Sequence, residues 1–416
     1  MRISTTSIYD SGTSKLNDLQ AAMQKSQLMI STGKRILTGA DDPVAAARAL
    51  EVSQNQGINS QFAINRKAAQ STLGLEENTL QSVTSLLQDI KGALVQAGDA
   101  ALTPVDLKYM SAALQGQFND LLGSANSRDA NGTYLFGGYQ TDTQPFALTA
   151  NGVTVSQDTG ERLLQVASTR QMSMSDSGAA VFSNIINGNG NFVTGALAAN
   201  TGTGTISPGT VVGTPSTDTF QVVFTNDPVT NALTYSVFNT TTDPTMAAAP
   251  ESTGTYVEGQ TISFDIPLPP ATQVGARQIE IHGKPLAGDN FSIDPSTQQS
   301  LFTTMQNLIT LLNTSGGSSI GRTQLSQGLS IANQNLDHAL DNILTVRASI
   351  GARMQELDNL DMDGLGRNEQ YAQTLSNLQD LDYTKAISDL SQQTTTLEAA
   401  QKSFVKVTGL SLFNYI

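Results

Sequence analysis

Leu73–Ala97 reads LGLEENTLQSVTSLLQDIKGALVQA, and its large apolar residues recur every seven positions. Two such series run three residues apart: Leu73, Leu80, Leu87 and Leu94 in one, and Glu76, Val83, Ile90 and Ala97 in the other. A strict seven-residue period favours a helix that winds in a left-handed supercoil against a partner. This segment therefore predicts a long helix in a coiled-coil bundle.

A further helix is predicted after the short break at Thr103-Pro104. One side of it carries Leu107, Ser111, Leu114, Phe118, Leu121 and Ala125 at helical spacing. Because the break is short, we expect the two helices to form an antiparallel hairpin.

Both ends of the chain carry heptad stripes as well. The N-terminal stripe consists of Leu16, Leu19, Met23, Ser26, Ile30, Gly33 and Leu37. The C-terminal stripes are Leu336, Leu340, Ile343, Arg347, Ile350, Met354 and Leu357, followed by Tyr383, Ile387, Leu390, Thr394, Leu397, Gln401 and Phe404. Asp41 or Asp42 is placed to cap a helix that begins at Pro43. A chain with two helical ends can pair those ends in one bundle.

The middle of the chain has another character. Residues 147–275 are rich in Thr, Gly, Ser, Asn and Pro, and the runs FQVVF (220–224), LTYSVF (233–238) and TISFDI (261–266) are typical of strands. We expect one or two all-β units here, with Asn187–Gly213 as a flexible surface loop. Gly132–Gly138 predicts a short strand, and two more strands are expected around the KPLAGD turn.

The predicted class is therefore a multidomain α+β protein, in which a long coiled-coil bundle of N- and C-terminal segments carries a β-rich outer insert. Five segments follow from the pattern. They are 1–42 (N-terminal helix of an inner domain), 43–146 (first half of a helical domain with a β-segment), 147–275 (β-rich insert), 276–366 (second half of the helical domain) and 367–416 (C-terminal helix of the inner domain).

The terminal stripes have an energetic consequence. A helix with one apolar stripe recovers too little free energy by burial to offset the conformational entropy lost when it becomes ordered. Pairing the two ends still leaves apolar flanks open, among them Leu28, Ile36, Leu381 and Leu410. We therefore expect the terminal segments to become fully ordered only against other subunits. The alternative is that both dock on the middle of their own chain.

Composition narrows the function. The net charge is −14, so binding of nucleic acid is not expected. There is no cysteine, which removes disulfides, thiolate metal sites and a cysteine nucleophile. No apolar run is long enough to predict a membrane span, and MRISTTSIYD at the N-terminus lacks the apolar region of a cleaved signal peptide. Such a chain is expected in the cytoplasm unless export leaves the N-terminus intact.

No motif points to an enzyme, a cofactor or a metal. GGSSIGRT (316–323) has Arg322 where a phosphate-binding loop needs lysine, and DMDGLGR (361–367) lacks the closing Glu of a calcium loop and is expected to be a hinge. His282 and His338 have no second histidine at metal-binding spacing, and no GxSxG elbow occurs. Asp41-Asp42 favours a helix start over a catalytic carboxylate pair.

Three stretches resemble the flagellin and hook-associated protein superfamily. They are MRISTTSIYDSGTSKLNDLQ with QLMISTGKRILTGADDPVAAARAL near the N-terminus, NGTYLFGGYQTDTQPF (131–146), and YTKAISDLSQQTTTLEAAQKSFVKVTGLSLFNYI (383–416). The last is similar to the C-terminal end of the hook–filament junction members. The resemblance covers about residues 1–150 and 277–416 and leaves the insert unmatched.

The resemblance implies a structural protein of the bacterial flagellum, exported through the flagellar type III apparatus without a cleaved signal and located outside the cell. It implies hook-associated protein 1, flagellin and an export chaperone as partners, together with self-association in a ring. It also implies inner contacts between Leu16, Leu19, Met23 and Ile30 on one side and Ile387, Leu390, Leu397 and Phe404 on the other. Gly33–Pro43 would connect the inner layer to the next one, where Leu73–Ala97 and Leu336–Leu357 would pack together.

Three functions follow from these observations. The first is a hook–filament adaptor whose coiled-coil termini become ordered on assembly. The second is flagellin itself, because the bulk filament subunit shares the terminal helices. The third is a secreted adhesin or hydrolase that acts through the β-rich insert.

Overall fold

The computed structural model describes residues 5–150, 152–156, 158–265 and 275–413, and these residues form two compact units. The first unit comprises the chain up to Arg66, the segment Val166–Thr169 and the chain from Asp358 onward. The second comprises Lys67–Gln165 and Arg170–Leu357. The boundaries therefore lie inside two long helices, whereas the sequence pattern predicts them at 42/43 and 366/367.

Seven helices occur in the described chain. They are α1 Thr5–Thr32, α2 Pro43–Ala97, α3 Pro104–Ala125, α4 Gly178–Phe182, α5 Leu301–Thr314, α6 Ser319–Gln379 and α7 Tyr383–Phe413. Helices at both ends and a β-rich centre confirm the predicted α+β class. Among the described helices, none has an apolar stretch long enough to cross a membrane.

Helix α2 confirms the heptad prediction. All eight seam residues between Leu73 and Ala97 are buried, including Glu76. The helix begins at Pro43 as predicted, and the carboxylate of Asp42 caps it by accepting the backbone N–H of Ala45 (3.1 Å). The same seven-residue period continues back through positions 45, 52, 59 and 66, where Asn59 and Arg66 take the place of leucine. Polar seam residues are therefore why the apolar pattern begins only at Leu73.

In the second unit, α2 runs antiparallel to α6. Arg347 of α6 donates two hydrogen bonds to the Glu77 carboxylate (2.7 and 2.9 Å), and Lys91, about four turns further along α2, pairs with Asp337. The seam residues Leu336, Ile343, Ile350 and Leu357 of α6 are fully buried. Arg347 leaves the seam to reach Glu77, as expected for a long charged side chain in that position.

Helix α3 packs on α5 in the second unit. All six residues predicted for its inner side are buried. The Phe118 and Phe302 rings meet edge to face with centroids 6.1 Å apart, and the Ser111 hydroxyl donates to the Ile309 carbonyl (3.2 Å). The Thr103 and Asp106 side chains form a capping box at the start of α3, which explains why the helix begins right after the predicted break.

The described strands form two larger sheets and three two-stranded pairs, β1-β2, β3-β4 and β5-β15. In chain order the strands are β1 Phe146–Thr149, β2 Gly152–Val155, β3 Leu163–Ala167, β4 Arg170–Ser173, β5 Ile185–Ile186, β6 Phe192–Ala196, β7 Thr205–Ile206, β8 Thr210–Gly213, β9 Phe220–Asn226, β10 Leu233–Asn239, β11 Ser252–Thr255, β12 Thr261–Phe264, β13 Gly275–His282, β14 Asn290–Pro295 and β15 Gln298–Gln299. One sheet has the order β11-β10-β9-β14-β6, and in the other β13 lies between β12 on one side and β7 and β8 on the other. Strands β9, β10 and β12 confirm the three predicted strand runs.

The β-rich part extends beyond its expected end at residue 275. Strands β13 and β14 flank the KPLAGD turn as predicted, but they are central strands of the two sheets. Ile279, Ile281, Phe291 and Ile293 lie in the same apolar core as Phe220. The segment 276–295 therefore belongs with the β-rich insert, because its alternating apolar residues complete that core.

Asn187–Gly213 is not a flexible loop, and this prediction was wrong. It contains β6, β7 and β8, and Phe192 is fully buried. Helix α6 holds it at two points: the Asn335 side chain accepts the Gly188 N–H (2.9 Å) and the Gln327 side chain accepts the Ile206 N–H (2.9 Å). The strands were not predicted from the sequence, because a glycine-rich composition is typical of loops.

Two other local predictions were wrong. Gly132–Gly138 is a series of turns with one isolated bridge between Arg128 and Tyr134, although Tyr134, Leu135 and Phe136 are buried. The DMDGLGR segment is not a hinge, because α6 runs through it without interruption. Gly364 is buried there, and a Cβ on it would lie 2.4 Å from Nη2 of Arg66. This glycine therefore gives room to a neighbouring side chain.

Candidate assembly interface

Helices α1 and α7 of the first unit pair in antiparallel fashion. The rings of Tyr9 and Phe404 lie 5.3 Å apart near one end of the pair. Near the other end, a Cβ on Gly33 would lie 2.9 Å from the Tyr383 hydroxyl. Gly33 also has a left-handed backbone (φ +68), which other residues rarely adopt. The predicted pairing of the N- and C-terminal helices is therefore present.

Gly12 lets the two helices approach closely. A Cβ at this position would lie 2.5 Å from the Phe404 ring, so any larger residue would displace that ring. Neither Gly12 nor Tyr9 was predicted from the sequence as a contact residue. The signal that could have found Gly12 is an isolated glycine inside a helical pattern, which often marks close packing.

The segments that connect these helices to α2 and α6 also pair with each other. The Arg35 N–H donates to the Gln379 carbonyl (2.7 Å), and the Leu381 N–H donates to the Gly33 carbonyl (2.9 Å). The Arg35 guanidinium adds a bond to the Leu378 carbonyl (2.9 Å). Backbone hydrogen bonds thus fix where α1 ends and α7 begins.

Asp41 organises the turn before α2. Its carboxylate accepts the N–H groups of Thr38 (2.8 Å) and Leu37 (3.1 Å) and forms an ion pair with Lys25 of α1. The hydrogen bond from Lys25, followed by that from Thr38, holds the pKa of the Asp41 carboxyl well below its usual range. Asp41 and Asp42 therefore shape a connector and a helix start.

The structure places seven of the eight predicted contact residues along the α1–α7 seam. Leu16, Leu19, Met23, Ile30, Leu390 and Phe404 are partly buried there, and Leu397 is buried. Ile387 is the exception: its side chain is 56% exposed and lies off the seam. An assembly role for all eight residues stays a prediction.

The α1–α7 seam is poorly sheltered. Among the described side chains of the two helices, only Leu397 is buried, at 8% exposure, and α1 contributes none. Leu28, Ile387 and Val405 are more than half exposed. The side chain of Leu410, a predicted apolar flank, lies outside the described residues. By contrast, every seam residue from Leu73 to Ala97 is buried. A pair with so little burial gains little from the hydrophobic effect.

A second contact in the first unit joins α2 to α6 through polar groups. Arg66 has a side chain only 3% exposed, and it donates two hydrogen bonds to the Asp361 carboxylate (2.9 and 3.0 Å) and one to the Val166 carbonyl (3.1 Å). Asn59 donates to the Gly364 carbonyl (2.8 Å) and to the Asn368 side chain (2.9 Å). These residues were not predicted from the sequence, because charged and amide side chains do not mark a seam by hydropathy.

Comparison with known proteins shows which family shares this architecture. A profile of the bacterial flagellin N-terminal helical region matches residues 3–141. The crystal structure of flagellar hook-associated protein 3 from Legionella pneumophila is 30% identical, with a TM-score of 0.71 over 79% of this chain and 98% of that one. The chain belongs to the flagellar hook-associated protein 3 family.

Two more members of the family support this assignment. Flagellar hook-associated protein 3 of Salmonella typhimurium is 27% identical over 99% of both chains. A crystal structure described as the flagellar junction protein FlgL from Legionella pneumophila is 29% identical, with a TM-score of 0.69 over 80% of this chain and all of that one. Membership in the hook-associated protein 3 family favours the first of the three functions over flagellin and makes the chain a component of the bacterial flagellum.

Proposed function

We propose that this chain is a structural adaptor that joins the hook of the bacterial flagellum to its filament. The observation that carries the proposal is the α1–α7 pair, whose apolar seam is only partly buried along most of its length. In a junction, neighbouring copies would cover these faces, and the terminal helices would become ordered as they dock. A role in assembly accounts for the apolar seam, and a catalytic role would not.

The proposed partners follow from the two ends that an adaptor must present. Hook-associated protein 1 would contact one axial face and flagellin the other, and copies of this chain would associate laterally in a ring. Head-to-tail contacts between different surfaces generate such rings. We also propose that an export chaperone binds the C-terminal region, and that the chain reaches the exterior without a cleaved signal peptide.

The distribution of charge agrees with close packing of the first unit. That unit has 11 basic and 13 acidic residues, so it carries only −2 of the net charge of −14. Nearly neutral units can pack side by side without strong mutual repulsion. The second unit carries the remaining −12, which favours solubility of the parts that face solvent.

Within the proposed junction, the contact residues take two roles. Leu16, Leu19, Met23 and Ile30 would pack against Leu390, Leu397 and Phe404 within one chain, which their partial or full burial supports. Ile387, exposed in a single copy, would contact a neighbouring subunit. The second role adds burial that the isolated chain lacks.

Removal of residues 383–416 tests the proposal. In cells that carry the truncated chain, we expect complete hooks without filaments and flagellin released into the medium, measured by electron microscopy and by immunoblot of the medium. The control is Val229→Asp, in the turn between β9 and β10, where the side chain is 90% exposed and α7 is untouched. Filaments of normal number and length on the truncated chain would refute the adaptor role.

A further inference from the structure

A cavity of about 350 Å³ in the second unit is lined by residues of β6, β15, α5 and α6. Its apolar walls are formed by Val193, Leu308, Leu311 and Ile331. Gly328 leaves room for one of them, because a Cβ there would lie 2.4 Å from Cδ2 of Leu311. Ligand pockets in proteins have volumes of about 300–1,000 Å³ and are mainly apolar, with a few precisely placed polar groups. The size and the walls of this cavity therefore suit a small molecule.

Two buried donors in the cavity lining have no acceptor among the described residues. Asn335 is 6% exposed, and its Oδ1 accepts the Gly188 N–H (2.9 Å), whereas its Nδ2 donates to no described group. Thr304 is 4% exposed, and its hydroxyl oxygen accepts a hydrogen bond from the Gln299 side chain (2.8 Å), whereas its hydroxyl proton has no described acceptor. A buried donor without an acceptor is costly. An oxygen acceptor inside the cavity would therefore be stabilising.

The lining also determines which charge a ligand can carry. Every described residue that lines the cavity is uncharged, and three of them, Asn187, Gln299 and Asn335, carry side-chain amides. An ionised ligand would lose part of its water shell here without gaining an opposite charge, which is strongly unfavourable. An amide ligand has complementary groups, because its carbonyl oxygen can accept from the two free donors. Its N–H can donate to a side-chain amide oxygen, which has two lone pairs.

We propose that this cavity binds a small, uncharged amide that carries a branched apolar group. The carbonyl oxygen of the ligand accepts hydrogen bonds from Asn335 Nδ2 and the Thr304 hydroxyl, and its apolar group packs on Leu308, Leu311 and Ile331. Burial of the apolar group and pairing of the two donors both favour binding. The site belongs to the second unit, so it is independent of the contacts proposed for α1 and α7 of the first unit.

Methyl NMR of the purified full chain, labelled on Ile, Leu and Val methyl groups, tests the site. The probe is N-acetylleucinamide, an uncharged amide with a branched apolar group. Its matched control is N-acetylleucine, which has the same body and a carboxylate in place of the terminal amide. The variant Ile331→Leu identifies the Ile331 signal by its absence. We expect the probe to shift the Ile331 and Leu311 signals in a saturable way at millimolar concentration, and the control to give at least tenfold smaller shifts.

Two variants test the donors separately. Asn335→Asp keeps an acceptor for the Gly188 N–H and removes the amide donor, so we expect N-acetylleucinamide to bind at least tenfold more weakly. Thr304→Val keeps the shape of the side chain and removes the hydroxyl, and it is also expected to weaken binding, which keeps the proposal testable if the first variant does not fold. The control Gln324→Glu makes the same change from amide to carboxylate at an exposed position of α6 and should bind the probe normally.

Any of three results would overturn the proposed site. They are the lack of a saturable shift of the cavity methyl groups with N-acetylleucinamide, shifts of equal size with N-acetylleucine, and unchanged affinity for the probe in both Asn335→Asp and Thr304→Val. Ordered water would then be the acceptor for the two donors. Each of these results leaves the adaptor role intact, because binding is measured on the purified chain and involves no assembly.

Discussion

Cells that carry Leu397→Asp are expected to build hooks but to attach few or no filaments. Leu397 is the one buried side chain among the described side chains of α1 and α7. An aspartate there would place a carboxylate on the apolar seam that neighbouring copies must cover. Burial of an unpaired carboxylate costs several kcal/mol, and the cost recurs in every subunit of the junction. Electron microscopy of isolated hooks measures the outcome.

The matched control is Gln392→Asp, an exposed position on the same helix. It introduces the same charge off the seam, so filaments should attach normally. Both purified full-length variants should show the same thermal unfolding of the second unit, since Leu397 belongs to the first unit. Normal filaments with Leu397→Asp would show that the seam is not buried in the junction.

The unaltered chain is expected to lose stability as the pH rises from about 4.5 to about 8, and Glu76→Gln is expected to abolish this loss. Glu76 is fully buried on the seam of α2. One carboxyl oxygen accepts the Asp176 N–H (3.0 Å), the other has no hydrogen-bond partner, and the nearby Asp176 carboxylate is engaged by Arg353. Burial, and then the charge of Asp176, raises the pKa of Glu76 from 4.5 to about 8.

The sign of the effect follows from proton binding. Between pH 4.5 and pH 8 the folded chain holds a proton on Glu76 that the unfolded chain has released. The free energy of unfolding therefore falls as the pH rises through this window, by a few kcal/mol in all. Glu76→Gln cannot ionise, so its stability should exceed that of the unaltered chain increasingly as the pH rises.

Urea unfolding of the purified chain at several pH values measures this difference. The control is Asp341→Asn, which removes an exposed carboxylate from α6. That variant should follow the pH dependence of the unaltered chain. If Glu76→Gln and the unaltered chain lose stability in parallel from pH 5 to pH 8, then Glu76 is not protonated in the folded state.

The sequence predicted best where one face of a helix is apolar and fully buried. The inner side of α3 and the seam from Leu73 to Ala97 were predicted residue by residue. The same seam was missed from Ala45 to Arg66, because Asn59 and Arg66 hold it together by hydrogen bonds. Hydropathy registers burial by the hydrophobic effect and does not register specific polar pairing.

Glycine residues led to three wrong predictions of local structure. It suggested a hinge at Gly364, a loop across Asn187–Gly213 and a strand at Gly132–Gly138. In the structure, Gly364 makes room for Arg66, and Gly188 is bonded by α6 in a segment that contains three strands. A glycine marks a need for space or for an unusual backbone, and only the tertiary neighbours show which need applies.

The position of the apolar residues on the α1–α7 pair was predictable in outline, and their role in assembly stays a prediction. The heptad spacing placed seven of eight residues on the α1–α7 seam, since each apolar residue there recurs at the helical period. Ile387 was assigned to the same seam because it fits the period, yet it lies on the exposed flank. Periodicity alone does not separate a residue that faces its own chain from one left for a neighbour.

The proposed adaptor role requires that a single copy cannot adequately shelter its terminal helices. Hydrogen exchange of backbone amides in the purified monomer and in assembled flagella tests it directly. We expect α1 and α7 to exchange at nearly unfolded rates in the monomer while Leu73–Ala97 is strongly protected, and we expect all three to be protected after assembly. Protection of α1 and α7 in the monomer equal to that of Leu73–Ala97 would contradict the claim.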